Sequence, residues 1–301
     1  MERIWGGRRL ETVLRRALPA SVRVGESWEL VDREDAQSVV HSGPLRGRTL
    51  HELWTGQRAA VFGSHLPETP RFPLLCKILD AHDRLSVQVH PPASVAAQLG
   101  GEPKTEMWYL LEAQPGSVLY AGFKAGTTRA QFEEALGMGR VAETIHVLPT
   151  HAGDTIFIPS GRVHAIGSGN LLIEVQQNSD TTYRVFDWNR VGLNGQPRPL
   201  HVRESLASID FADAEPGFAK PAGETLAACP HFRVEKWTLD AARVDPGPGF
   251  SIFAVASGSV ECGGERFARG AFFLLPAAAD DRELRPFPLE SGAVVLRTTI
   301  P

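Results

Sequence analysis

The chain has 301 residues, which at about 150 residues per domain predicts two folded units. Its 31 basic and 35 acidic residues give a net charge of −4, so charge gives no reason to expect a nucleic-acid or membrane-surface partner. Hydrophobic residues make up 43% and charged residues 22%, which excludes disorder over most of the chain. The 29 glycines and 22 prolines favour a mainly β fold with many short strands and turns.

The cysteines and the lengths of the apolar runs indicate the cellular compartment of the protein. Cys76, Cys229 and Cys262 form neither an even-numbered disulfide framework nor a CxxC metal site. The first residues carry arginines where a signal peptide needs an apolar core, and no apolar run is long enough to span a membrane. We therefore expect a cytoplasmic protein without a membrane partner.

Three segments carry helix signals. Apolar residues recur at helical spacing over 10–18, and Pro19 ends the run. A second helix is predicted over 129–136, where Thr128 begins a capping box. The stretch 204–206 marks a third helix. These few short helices would lie among strands.

Strands are predicted where short runs are apolar or alternate strictly. In 85–90 the residues Ser86, Gln88 and His90 share one face, because side chains of a strand alternate between two faces. Further strands are predicted over 106–111, 154–158, 171–176 and 182–188.

A faint internal repeat predicts two related β-barrels. Residues 153–166 resemble residues 270–284, and one common offset aligns the glycine and the proline of the two segments. We place the boundary in the Ala-, Pro- and Gly-rich stretch 212–228. The expected domains are therefore 1–211 and 212–301.

Four residues offer a set of nitrogen and oxygen ligands. Gln88 and His90 point to one side of a strand, Glu106 begins the next apolar run, and His164 follows a turn. An amide, a carboxylate and two imidazoles suit a divalent ion such as zinc. A strand histidine is also commonly a satisfied polar residue, and the sequence leaves open whether these segments converge.

Charged residues cluster near this set. Lys77 precedes the strand, Lys104 lies two residues before Glu106, and Glu174 lies within an apolar run. Arg184 follows ten residues after Glu174, so antiparallel pairing of their strands would place both on one face. The cluster is therefore either a buried Glu174–Arg184 ion pair or a cation-lined cavity for a small anionic substrate.

At these residues the sequence resembles type I mannose-6-phosphate isomerases, in particular their short bacterial form, which are metal-dependent cupin enzymes. The resemblance covers about the first 210 residues, and the C-terminal 90 match loosely as a second, degenerate barrel. The matching segments are IWGG (4–7), GESWEL (25–30), KILDAHDRLSVQVHP (77–91), KTEMWYLL (104–111), GDTIFIPSGRVHAIG (153–167) and EVQQNSDTTYRVFDWNR (174–190).

The resemblance implies a fold of two cupin-type (jelly-roll) β-barrels and a role for each matching residue. The predicted metal ligands are Gln88, His90, Glu106 and His164. The predicted catalytic residues are Arg184, Lys104 and Glu174, and the residues predicted to hold the substrate phosphate are Ser86 and Lys77. In the second copy Asp281 takes the place of His164, so no metal is expected there.

The implied activity interconverts mannose 6-phosphate and fructose 6-phosphate by proton transfer through a cis-enediol. The cofactor would be one divalent ion, most readily Zn²⁺, and the partner a small sugar phosphate; the chain would be a monomer or homodimer. Either Glu174 or Lys104 could move the proton, the latter if nearby positive charge lowers its pKa. The alternatives are a cupin metal oxygenase and a non-catalytic sugar-binding cupin.

Overall fold

The computed structural model describes residues 1–288 and 292–301. The strands before residue 200 are β1 (Glu2–Gly7), β2 (Glu26–Leu30), β3 (Asp32–Arg33), β4 (Ala36–Gln37), β5 (Leu74–Ala81), β6 (Val87–Val89), β7 (Glu106–Ala113), β8 (Val118–Phe123), β9 (Ile145–Pro149), β10 (Thr155–Ile158), β11 (His164–Ile166), β12 (Asn170–Gln177) and β13 (Tyr183–Phe186). The later strands are β14 (Thr225–Ala228), β15 (Arg233–Leu239), β16 (Arg243–Val244), β17 (Ser251–Ser257), β18 (Ser259–Cys262), β19 (Glu265–Ala268), β20 (Phe272–Leu275), β21 (Glu283–Pro286) and β22 (Ala293–Thr299).

The helices are short and separate groups of strands. They are α1 (Arg9–Thr12), α2 (Leu50–Gly56), α3 (Arg58–Phe62), α4 (Ala93–Ala96), α5 (Arg129–Gly137) and α6 (Val202–Ser208), with single 3₁₀ turns at Ala97–Leu99 and Val141–Glu143. No helix among the described residues is long and apolar enough to cross a membrane. The predicted mainly β fold with a few short helices is confirmed.

Two sheets carry the predicted site residues. Their strand orders are β10-β7-β12-β5-β2 and β13-β6-β11-β8-β9. Trp108 and Ile156 of the first sheet share one apolar core with Leu119 and Ile166 of the second. Val87 and Val89 of β6 belong to a different cluster that includes Phe132 of α5. Polar side chains on the other face of β6 are thereby left to face the interior beside the first sheet.

Strands β14 to β22 form a second pair of sheets. One sheet runs β20-β17-β22-β15-β14 and the other β16-β21-β18-β19, and Trp237 and Phe253 lie in their shared core. Strands β20, β17, β22, β15 and β14 correspond in this order to β10, β7, β12, β5 and β2 of the earlier five-stranded sheet. Both pairs of sheets are compatible with the predicted jelly-roll architecture.

Contacts within the chain divide it into two compact units. One contains residues 1–27 and 77–219, and the other contains residues 28–76 and 220–301. The predicted domains were 1–211 and 212–301, so the structure groups residues 28–76 with the C-terminal unit instead. The sequence repeat lacked any signal for this segment, which precedes the first copy.

The three helix predictions have different outcomes. The helices at 129–136 and 204–206 are confirmed as α5, with the Thr128 capping box, and α6. The helix over 10–18 is wrong beyond Thr12, because Arg15 adopts a left-handed φ of 60° that interrupts a right-handed helix.

Candidate active site

Three buried side chains converge between the two sheets of the N-terminal unit. His90 directly follows β6, Glu106 begins β7, and His164 begins β11. Antiparallel pairing sets His164 opposite Gln88, while Glu106 is opposite Ile158 in the other sheet. The sheet registers therefore bring residues from distant parts of the sequence to one point.

The ligand atoms of these three residues lie within 4.8 Å of one another. Glu106 Oε1 is 3.6 Å from His90 Nε2 and 3.5 Å from His164 Nε2. Each imidazole donates its Nδ1–H to a backbone carbonyl, His90 to Thr181 at 2.8 Å and His164 to Arg162 at 2.9 Å. Both Nε2 lone pairs are thereby directed at the carboxylate, as in metal sites whose histidines are oriented by a second hydrogen bond.

Gln88 completes the set that the sequence predicted. Its amide group lies 3.3 Å from His164 Nε2, and its Oε1 accepts a bond from Ser86 Oγ at 3.5 Å. Because amide oxygen and nitrogen are exchanged by a simple rotation, Gln88 can present its oxygen to the same point. The structure thus brings together all four predicted ligands.

The donor atoms fit a divalent cation. His90 Nε2 and Glu106 Oε1 are buried without a hydrogen-bond partner among the described residues, an arrangement that is costly unless something else occupies the gap. Burial, and then the Lys104 cation, lowers the pKa of His90 from 6.5 to about 4, and burial also lowers the pKa of His164. Both imidazoles are therefore neutral at pH 7, as metal ligation requires.

A chain of buried ion pairs adjoins these ligands. Lys104 Nζ lies 2.7 Å from Glu106 Oε2 and 3.5 Å from Glu174 Oε1, and Lys77 Nζ lies 3.3 Å from the same Glu174 oxygen. Trp108 Nε1–H donates to the other Glu174 oxygen at 3.1 Å. All of these groups are buried, so the two cations and two carboxylates neutralise each other locally.

The structure corrects two expectations about this cluster. Burial alone would lower the pKa of Lys104, but the carboxylates of Glu106 and Glu174 outweigh burial and raise it. The idea that neighbouring charge lowers the pKa of Lys104 is therefore wrong. Of the two alternatives for this cluster, the buried Glu174–Arg184 ion pair is wrong: β12 pairs with β7, whereas β13 pairs with β6 in the other sheet.

A cavity of about 530 Å³ opens beside the ligands. It is lined by every residue predicted for catalysis or phosphate binding, namely Lys77, Ser86, Lys104, Glu174 and Arg184, and also by Gln88. The cavity thus adjoins the candidate metal ligands through Gln88 and is large enough for a small phosphorylated sugar.

Comparison with known proteins decides the family. A model of the catalytic domain of type I phosphomannose isomerases matches residues 1–115. The mannose-6-phosphate isomerase ManA of Bacillus subtilis is 36% identical over 300 residues, covering 95% of this chain and 93% of that protein. The chain belongs to the type I phosphomannose isomerase family. The predicted family and enzyme class are confirmed.

Solved structures of phosphomannose isomerases agree with this membership. The crystal structure of mannose 6-phosphate isomerase from Bacillus subtilis matches with a TM-score of 0.87 and 30% identity, over 100% of this chain and 97% of that one. A more distant mannose 6-phosphate isomerase described as bound with zinc and yttrium matches with a TM-score of 0.74 and 16% identity, over 100% and 97% of the two chains. The second match bears on the fold alone.

Several residues of this phosphomannose isomerase site were missed from the sequence. Trp5, Asp180 and Arg198 also line the cavity. Trp108 packs edge-on against His164, with ring centroids 5.4 Å apart. Only Trp108 carried a local signal, as a tryptophan two positions after a predicted ligand on the same face of β7.

Arg162 lies in the turn that precedes His164. Its Nε and Nη2 bind the two carboxylate oxygens of Asp213, each at 2.8 Å. The charge of Arg162 is thus balanced locally, and its carbonyl orients His164.

Proposed function

We propose that this protein interconverts mannose 6-phosphate and fructose 6-phosphate in the 530 Å³ cavity, with one divalent ion held by Gln88, His90, Glu106 and His164. The observation that carries the proposal is the convergence of His90 Nε2, His164 Nε2 and Glu106 Oε1 on one buried point beside a cation-lined cavity. The relatives named as mannose-6-phosphate isomerases supply the substrate.

We propose zinc as the ion. Imidazole, carboxylate and amide ligands suit zinc, although they discriminate weakly among divalent metals. A structurally similar mannose 6-phosphate isomerase is described as bound with zinc. A divalent ion here would supply Lewis-acid polarisation of the carbonyl oxygen of the opened sugar.

The residues of the chain would divide the remaining work. Isomerisation requires a base that moves a proton between C2 and C1 of the sugar through a cis-enediol. Glu174 is the carboxylate on the cavity wall that is suited to this, and Trp108 and two lysines orient it. Lys104, held protonated by its carboxylate neighbours, would stabilise negative charge that develops on the sugar oxygens. Arg184 lines the same cavity and would add a second donor.

A coupled assay tests the function. Mannose 6-phosphate is supplied, and fructose 6-phosphate is measured with and without a chelator, followed by zinc repletion. We expect turnover that the chelator abolishes and zinc restores. Oxygen consumption without isomerisation would instead identify a cupin oxygenase, and sugar binding without turnover would identify a non-catalytic cupin.

The role of Glu174 has a separate test. Glu174→Gln should stop exchange of the C2 proton with solvent while the zinc content stays at one ion per chain. Trp108→Phe is a second variant that keeps the carboxylate: it removes the hydrogen bond that orients Glu174 and also shortens the ring that packs against His164, so its zinc content is measured as well. Turnover of Glu174→Gln within about tenfold of wild type would contradict the assignment, since a general base contributes more than that. The cytoplasmic location and the monomeric or dimeric state stay predictions.

A further inference from the structure

Strand β13 and the loop that follows it carry three arginines and one buried aspartate close to the cavity of the N-terminal unit. Asp187 accepts bonds from Arg198 Nε and Nη2 at 2.7 and 2.6 Å, and from Arg190 Nε at 3.0 Å. Arg184 Nη1 donates to the Pro199 carbonyl at 2.8 Å. Arg184 and Arg198 line the cavity; Arg190 is not among the described residues that do.

The arginines close to the cavity are not fully balanced by carboxylates. Burial lowers the pKa of Arg184, and after burial the strongest influence is the neighbouring Arg198 cation. Asp187 is shared by two arginines, and Arg190 has a further exposed partner in Asp83 at 3.3 Å. Arg190 and Asp83 balance each other, so the two arginines that line the cavity, Arg184 and Arg198, share only Asp187 and leave one excess positive charge.

Arg184 and Arg198 also keep unused donors. Arg184 Nε is buried and has no hydrogen-bond partner among the described residues. Arg198 uses Nε and Nη2 for Asp187, an arrangement that orients the guanidinium rigidly. A buried donor without a partner is costly, so an acceptor arriving from the cavity would be stabilised here.

The lysine end of the cavity differs. Lys77 and Lys104 are balanced by Glu174 and Glu106, so the protein leaves no excess charge there for a phosphate. Lys104 contacts Glu106, one of the candidate metal ligands, and Arg184 lies opposite Gln88 in the register of β13 and β6. A sugar phosphate in this cavity would therefore meet excess positive charge at Arg184 and Arg198 and not at the lysines.

We propose that Arg198, beside Arg184, binds the phosphate group of the substrate and sets the preference for a phosphorylated sugar. This inference rests on the proposed function for the identity of the sugar. It assigns phosphate binding to Arg198 in place of Lys77 and Ser86, the residues that the sequence resemblance implied.

The loop that carries Arg198 supports this role. Val191 and Pro197 form a bridge that closes a tight hairpin, and Gly192 N–H donates to the Gln196 carbonyl at 2.7 Å. Gly192, Leu193 and Asn194 of this hairpin line the cavity, directly before Arg198 in the chain. Arg198 thus directly follows the residue that closes the hairpin, and both the hairpin and the arginine line the cavity.

The experiment compares Arg198→Gln with Arg190→Gln in the zinc-loaded full chain. Both variants remove one guanidinium from Asp187, but only the first removes a cavity cation. Two quantities are measured: KM and kcat for mannose 6-phosphate, and the dissociation constant of inorganic phosphate by calorimetry. Arg198→Lys provides a second variant that keeps a cation, and thermal unfolding checks that each variant folds.

We expect Arg198→Gln to weaken phosphate binding and raise KM by about 10- to 100-fold, the usual range for a lost charged hydrogen bond. Arg198→Lys should recover part of this loss, and Arg190→Gln should stay within about twofold of wild type. An unchanged phosphate affinity in Arg198→Gln would overturn the proposal, as would an equal loss in Arg190→Gln.

The two proposals fail in different ways. If the wild-type protein does not isomerise mannose 6-phosphate, the proposed function fails, while calorimetry with inorganic phosphate still decides the role of Arg198. If wild type isomerises the substrate and Ser86→Ala loses phosphate affinity while Arg198→Gln does not, only the present inference fails.

Discussion

The stability of the metal-free protein should depend on pH through the buried imidazole of His90. Burial, followed by the Lys104 cation, lowers its pKa from 6.5 to about 4. The unfolded chain therefore binds this proton more readily than the folded one, and falling pH favours unfolding. The contribution is fully present above pH 6.5 and is lost progressively as the pH falls towards 4.

The size of the effect follows from these two pKa values. Linkage predicts a loss of about 2 kcal/mol in the free energy of unfolding between pH 7 and pH 5, and of about 3 kcal/mol once the pH is below 4. The lowered pKa of His164 acts in the same direction. Zinc would compete with the proton for Nε2, so the prediction applies to chelator-treated protein.

Urea unfolding followed by tryptophan fluorescence measures this loss. Chelator-treated wild type and His90→Gln are compared at pH 7 and pH 5, so that groups common to both cancel. Wild type should lose about 2 kcal/mol more than the variant over this interval. An equal pH dependence, or an NMR titration of His90 with a midpoint near 6.5, would refute the reasoning.

Three substitutions test other parts of the structure by their free energies of unfolding in urea. Arg9→Ala removes the guanidinium that binds buried Asp80 at 2.8 Å, and leaving that carboxylate without its counter-ion should cost about 3 kcal/mol; a loss below about 1 kcal/mol would contradict it. Asp245→Asn removes the carboxylate that a buried arginine binds at 2.7 Å, and a similar loss of about 3 kcal/mol is expected, whereas unchanged stability would count against the ion pair. Gly167→Ala places a Cβ in steric conflict with the Val118 carbonyl oxygen, so it should destabilise the protein by about 1–3 kcal/mol, and a neutral result would contradict the conflict.

The sequence predicted the strand chemistry of the site better than its tertiary arrangement. Alternation in 85–90 correctly separated Ser86, Gln88 and His90 from the valines between them, because this alternation is a local property. The convergence of Glu106 and His164 on that strand depends on the registers of two sheets. No local pattern reports such registers, so that prediction needed the family resemblance.

The errors arise where nonlocal contacts determine the structure. Glu174 and Arg184 are ten residues apart in sequence, yet they lie in different sheets, and Glu174 binds two lysines instead. Arg198 was missed because it lies on an irregular loop without periodicity. Its significance comes from Asp187 and from the cavity, both of which require the folded chain.

The second pair of sheets shows how the same framework accommodates a different interior. Ser251 takes the position of Glu106, because each residue begins its strand and lies opposite the last residue of the neighbouring strand, β20 or β10. Arg297 takes the position of Glu174, because each lies opposite the third residue of that same strand, β17 or β7.

A carboxylate is still present at that point, but its oxygens are already bound. Asp245 accepts bonds from Ser251 Oγ at 2.8 Å and from Arg297 Nε at 2.7 Å. This buried carboxylate already neutralises the guanidiniums of Arg297 and Arg282, so replacing these partners with a divalent ion would leave buried cations unpaired, which is strongly unfavourable. The exchange of a candidate metal ligand for a hydroxyl, together with a charge reversal on the neighbouring strand, therefore fills this second interior with ion pairs where the first has a candidate metal site.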